Sequence, residues 1–108
     1  MKVEDILERD LYLDLQDRYE WMACGTKSEY RVIMMMKEVV KNHDSWPKDK
    51  TGRWVGYVQC LLIEVEEVTT TEEERNYTRP LFHKLYETMG YDIPETIEIP
   101  TGHHINNR

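Results

Sequence analysis

Apolar residues recur through the first twenty positions at the spacing of one helix face. They are Val3, Ile6, Leu7, Leu11, Leu15 and Tyr19, with Asp10, Asp14, Asp17 and Arg18 on other faces. This three-and-four rhythm predicts an amphipathic helix over 2–22. Gly25 should end it, since glycine accepts the left-handed conformation with which helices close. A second helix is expected over 28–41, with Ser28 as N-cap and Glu29 in the first turn, where the helix dipole favours an acid. It contains Tyr30, Ile33, Met34, Lys37 and Val40. The run Val32–Met36 would also suit a buried strand, but the segment's length and the Lys37-Glu38 pair favour helix.

Residues 42–51 (NHDSWPKDKT) read as a loop. Pro47 disfavours helical geometry at Trp46, and Asn, Asp and Ser compete for local hydrogen bonds. A third helix is expected over 51–68, with Trp54, Val58, Leu61, Leu62, Val65 and Val68 toward the core. Its acidic end (Glu64, Glu66, Glu67) opposes the dipole and predicts a frayed last turn. Thr71 with Glu74 fits a capping box opening a fourth helix that runs to Met89, with Gly90 as its stop. Pro80 lacks a backbone donor and predicts a kink or a split, with Thr78 capping the second piece. Residues 91–108, with Pro94, Pro100 and Gly102, read as an extended tail that Ile93, Ile97 and Ile99 could pin. The expected fold class is all-α: four to five helices in a domain over 1–90, followed by the tail.

Composition sharpens this picture. The 108 residues are 40% hydrophobic and include three Trp and seven Tyr, which suits one domain with one core and excludes a disordered chain. The net charge of -7 excludes attraction of duplex DNA or an anionic membrane through the average field. No apolar stretch reaches the roughly 18–20 residues of a membrane span. The opening MKVEDILERD carries acids where a signal sequence would be apolar. A soluble cytoplasmic protein is therefore expected, with Cys24 and Cys60 as reduced thiols. Charge is uneven: residues 64–74 hold six acids and no base, while bases gather at Lys48, Lys50 and Arg53, then at Arg75, Arg79 and Lys84.

Two stretches are candidates for chemistry. In Lys50–Gln59, Gly56 lies inside a helix, where glycine costs on the order of 1 kcal/mol against alanine. With Arg53 and with Gln59 or Cys60 along one stripe at spacing three and four, it permits close approach of a backbone, a ring or a phosphate. The plain alternative is helix–helix contact at Gly56, with Arg53 and Gln59 bonding loop carbonyls. In Arg75–Tyr86, Arg75, Arg79, Phe82 or His83, and Tyr86 share a face. Two arginines one turn apart repel unless an anion or carboxylates lie between them. Glu64, Glu66 and Glu67 would be the structural partners, and a bound phosphate or a partner's carboxylate the functional one. An antiparallel pairing of helices three and four would bring Arg53, Trp54, Arg79, His83 and Tyr86 into one cleft. Guanidinium and aromatic groups together suit a stacked base with its phosphate, or a protein interface.

Catalysis has little support. No nucleophile stands beside a base in a known pattern, and His43-Asp44, His83 and His103-His104 lack metal-ligand spacing. No glycine-rich phosphate loop is present. The six methionines suit core filling or an adaptable binding face. No metal and no cofactor are expected.

The segments Arg53-Trp54-x-Gly56-Tyr57-x-Gln59 and Glu74-Arg75-x-x-Thr78-Arg79-Pro80-x-Phe82, with the acidic stretch between them, resemble a pattern in small accessory proteins of tailed bacteriophages. The resemblance covers about a third of the chain, and Cys60 stands where the pattern has a second glycine. It implies a protein made in the bacterial cytoplasm that binds and disables a host factor or sequesters a signalling nucleotide. The leading expectation is a non-enzymatic protein that binds and modulates a host protein, helped by an exposed Trp46. The alternative is a nucleotide sponge using Arg53, Trp54, Arg75, Arg79 and His83. Self-association is expected from the apolar surplus at Tyr30–Val40 and Trp54–Val68. The candidate binding residues are Trp46, Lys50, Arg53, Trp54, Gly56, Gln59, Arg75, Arg79, His83 and Tyr86.

Overall fold

Four helices follow one another: α1 (Val3–Ala23), α2 (Glu29–Asn42), α3 (Lys48–Cys60), which continues into a π turn (Leu61–Val65), and α4 (Thr71–Thr88). The structure is a computed structural model that describes residues 3–88, with side chains from Leu7 onward. Among these residues there is no strand, so the chain is a small all-α bundle, and the run Val32–Met36 is helical. The expected tail over 91–108 and the Gly90 stop lie outside the described residues.

Chain neighbours pack together, α1 on α2 and α2 on α3, while α4 returns along α1. The core takes Leu11, Leu15 and Tyr19 from α1, and Val32, Met36 and Val39 from α2. Val55, Val58 and Leu62 complete it from the third segment, with Leu85 from α4. From Leu7 to Tyr19 the α1 stripe is as the spacing predicts. In α2, however, Tyr30 and Met34 face outward, at 74% and 47% exposure.

Several boundaries differ from expectation, each for a local reason. Gly25 closes α1 at φ +82, as its sequence suggests. Ser28 precedes α2 but makes no capping bond; its hydroxyl donates to Glu66 at 2.5 Å, tying the start of α2 to the end of the π turn. The third helix starts at Lys48 rather than Thr51, because proline's fixed φ suits the residue entering a helix. Pro47, at φ -58, leaves its carbonyl free to accept the amides of Lys50 and Thr51 at 3.0 and 3.2 Å. The loop is shorter accordingly.

The third helix also ends earlier than 68. Its last turn widens to π geometry, and Glu67 at φ +56 then closes the chain as the Val68 amide donates to the Leu62 carbonyl at 2.9 Å. A π turn rotates less per residue than an α turn, so the apolar stripe drifts off the core. Leu61 and Leu62 remain buried, whereas Val65 and Val68, expected inside, are exposed.

The capping box lies one residue before its expected place. The Thr70 hydroxyl accepts the Glu73 amide at 3.1 Å and faces the Glu73 carboxylate, which frees Glu74 to turn inward. Pro80 neither splits nor ends α4, and Thr78 caps nothing: its buried hydroxyl donates to the Glu74 carbonyl at 2.8 Å within the helix. Pro80 is exposed, so a backbone acceptor it leaves unmatched can turn to solvent.

Two polar clusters hold the helices to one another. At one end, the Glu8 carboxylate bonds His43 Nδ1 at 2.8 Å and also accepts from Lys48, joining α1 to the α2–α3 connection. At the other, the fully buried Glu74 carboxylate receives the Arg18 fork, Nε to Oε1 at 3.2 Å and Nη2 to Oε2 at 2.9 Å. The Thr69 hydroxyl donates to it at 2.6 Å. The Tyr19 phenol lies against the same carboxylate and accepts from Gln59 Nε2 at 2.8 Å.

Burial holds the Tyr12 and Tyr19 phenols well above their usual value of 10. The hydrogen bond to Asp14 is the main cause that raises Tyr77. The neutral phenol is therefore favoured in the folded state. Its contribution to stability is complete below pH 10 and is lost as pH rises through the folded-state values. Ultraviolet titration should show a tyrosine fraction that ionises only with alkaline unfolding, and that merges with the rest in denaturant. All seven tyrosines of the folded protein ionising together would contradict this packing.

Candidate functional site

The N-terminal box fixes the rotation of α4. Glu74, Thr78 and Leu85 point into the bundle, and this sets Arg75, Arg79 and His83 along the neighbouring, half-buried edge at spacing four. The line of three covers about 12 Å of helix. Arg75 Nε, Arg79 Nε and His83 Nε2 are shielded from solvent, yet none has a hydrogen-bond partner. Neither arginine forms an ion pair among the described residues. Of the expected carboxylate partners, Glu66 is held by Ser28. Glu72 and Glu87, each within a turn of the stripe, form no ion pair with it. Phe82 and Tyr86 border the line, ring centroids 6.2 Å apart and both half-buried.

The α3 candidates form a separate group. Trp46 and Trp54 lean on each other, centroids 4.7 Å apart at 52°, and Lys50 Nζ sits 4.3 Å above Trp46. Trp46, expected to be exposed, is half-buried in this pairing. Arg53 is drawn back along its own helix to Asp49 at 2.8 Å, which also lowers the Asp49 carboxyl below its usual range. It does not bond a loop carbonyl. Gly56 is buried, in keeping with close helix contact. Gln59 is a core residue bonded to Tyr19, and its Oε1 finds no partner. The expected five-residue cleft is thus divided: Arg79, His83 and Tyr86 share an edge of α4, while Arg53 and Trp54 are engaged on α3.

Three residues escape the sequence reading. Arg18 and Glu74 form the buried fork described above. Trp21 is 77% exposed at the rim of a depression of about 430 Å³, walled by Asp14, Asp17 and Tyr77. A helical wheel carries the signal for Trp21, since it continues the line Asp10, Asp14, Asp17 rather than the apolar line. Arg18 and Glu74 left no signal, because charged residues fifty-six positions apart show no pairing in one sequence.

Among the described residues, no three His, Cys, Asp or Glu side chains are grouped to hold a metal ion. His103 and His104 lie outside them. Cys24 is exposed and Cys60 half-buried, and both thiols are free. No helix of the described residues is long and apolar enough to cross a membrane. No family model, curated protein or solved structure matches the chain.

Proposed function

We propose that the chain is a non-enzymatic binding protein that takes up a phosphate-bearing small molecule, a nucleotide in the first instance, along the Arg75–Arg79–His83 edge of α4. The observation that carries this reading is the set of three shielded nitrogens with no partner. A buried donor left unmatched costs free energy, and an oxyanion is the partner that would match several on one line at once. A guanidinium donates to two phosphate oxygens in one plane, and the repulsion between neighbouring arginines falls when a dianion lies between them. Phe82 and Tyr86 supply ring faces beside the line on which a base can stack, worth about 1–3 kcal/mol per base. Trp46 and Trp54 are no longer needed for that role.

Calorimetry against inorganic phosphate and a panel of linear and cyclic nucleotides tests the proposal. Binding should weaken about tenfold or more in Arg79→Ala and in Arg75→Ala, for loss of a charged hydrogen bond each. Arg53→Ala, whose guanidinium already has Asp49, should bind as the parent does. Absence of heat at millimolar nucleotide would overturn the assignment.

A second reading is favoured by a different observation. Trp21, Tyr30, Met34 and Tyr57 remain on the surface, and aromatic residues and methionine are enriched in protein interfaces. On that reading the chain binds and modulates a protein of a bacterial host, in the accessory role that the phage resemblance implies. Tyr30 and Met34 also leave an apolar surface of the kind that self-association would use.

A further inference from the structure

The seam between α1 and α4 carries two depressions that meet at Asp14. The first, about 160 Å³, is floored by Leu7, Leu11, Leu81 and Leu85 and edged by Asp10 and Lys84. The second is the depression at Trp21. Laid end to end they make a groove from Leu7 to Trp21, fourteen helical residues and so about 21 Å, crossed near its middle by the hydrogen bond from Tyr77 to Asp14. One wall is a regular line of carboxylates, Asp10, Asp14 and Asp17, ending at the indole of Trp21.

Among the described residues no cation forms an ion pair with this wall, although Arg18 and Lys84 also line the depressions. Arg18, the cation beside it, is committed to Glu74 and lies over the Tyr77 ring at 3.9 Å. Lys84 lines the first depression yet forms no ion pair there among the described residues. Asp14 accepts the Tyr77 hydroxyl, a neutral donor. The groove therefore combines an apolar floor, a negative wall and an exposed indole face, which attracts cations.

We propose that this groove docks a basic amphipathic segment of a partner protein, its apolar residues on the leucine floor and its lysines or arginines along the aspartate wall and over Trp21. Charge complementarity selects the occupant: an acidic or neutral segment would leave the carboxylates desolvated and unpaired. The length of the groove and its alternation of apolar and charged lining suit three turns of helix, with anchors at i, i+3 or i+4, and i+7. This inference deepens the protein-partner reading and is independent of the phosphate edge on the opposite flank of α4. A host partner captured through another face would leave that reading standing while removing this one.

The probe is a synthetic helical peptide with leucines on one face and lysines flanking them, titrated into the full chain and followed by calorimetry at low and at physiological salt. Micromolar binding is expected, weaker at the higher salt as exposed charges are screened. Trp21→Ala should weaken it about thirtyfold, as loss of a hot-spot aromatic does. Asp10→Asn with Asp17→Asn should weaken it severalfold. These side chains are exposed, so circular dichroism should show the variants folded. Equal binding of a peptide with glutamate in place of lysine would overturn the proposal, as would binding indifferent to Trp21→Ala. So would sedimentation showing a dimer that Trp21→Ala dissolves while no peptide binds, which would assign the groove to a second copy of the chain.

Discussion

Arg18→Ala is expected to lower the free energy of unfolding by about 3 kcal/mol and the melting temperature on the order of 15 °C. The guanidinium is the counter-charge of Glu74, a carboxylate with no solvent contact, and alanine would leave that charge buried with only hydroxyl donors. Burying an ion pair is not in itself favourable, because desolvation offsets most of the attraction. The loss comes from breaking it on one side. A double replacement, Arg18→Met with Glu74→Met, should therefore recover most of the stability of the parent. Arg53→Ala removes an ion pair of similar length between two exposed side chains and should leave the melting temperature nearly unchanged. Thermal unfolding followed by circular dichroism reads all three. Equal losses in Arg18→Ala and Arg53→Ala would mean that Glu74 is hydrated, and that the fork does not hold α4 to α1.

Leu62→Ala should cost about 3 kcal/mol, and Val65→Ala within about 0.5 kcal/mol. Both residues fit one helical stripe and only three positions separate them. Leu62 is wholly buried, however, while Val65 is 63% exposed beyond the widened turn. Denaturant titration of the two variants decides between an α stripe continued to Val68 and the π turn. A loss at Val65 approaching that at Leu62 would restore the straight helix.

These two tests mark where the sequence is legible and where it is not. The α1 stripe from Leu7 to Tyr19, the Gly25 stop and the class of the fold are periodic or local signals, and each survives in the folded chain. The end of the third helix did not read correctly, because π widening and a left-handed glutamate at position 67 leave no mark in an apolar pattern. The capping box was legible in kind but not in place: Thr70 and Thr71 are each followed three residues later by a glutamate. The buried partners of Glu74, namely Arg18, Thr69 and Tyr19, accompany the choice of the first. Pro80 signalled a break that exposure on the outer face of α4 makes tolerable. For the site, spacing along one helix placed Arg75, Arg79 and His83 on one edge. Joining them to Arg53 and Trp54 required knowing which cations have nearer partners. Asp49 and Trp46 supply those partners through side-chain choices that spacing does not reveal.

The polar clusters at the two ends of the bundle share one helix: Glu8 and Arg18 both belong to α1, ten positions apart. A purely apolar stripe tolerates sliding by a turn, since leucine replaces leucine. With a charge keyed at each end, a slip of one turn would strand Glu8 away from His43 and Lys48 and set Glu74 against Asp14 or Met22 in place of Arg18. Axial register is thereby fixed twice on the same rod. A bundle core of mixed apolar residues, Met36 among them, thus has one alignment rather than several of similar energy.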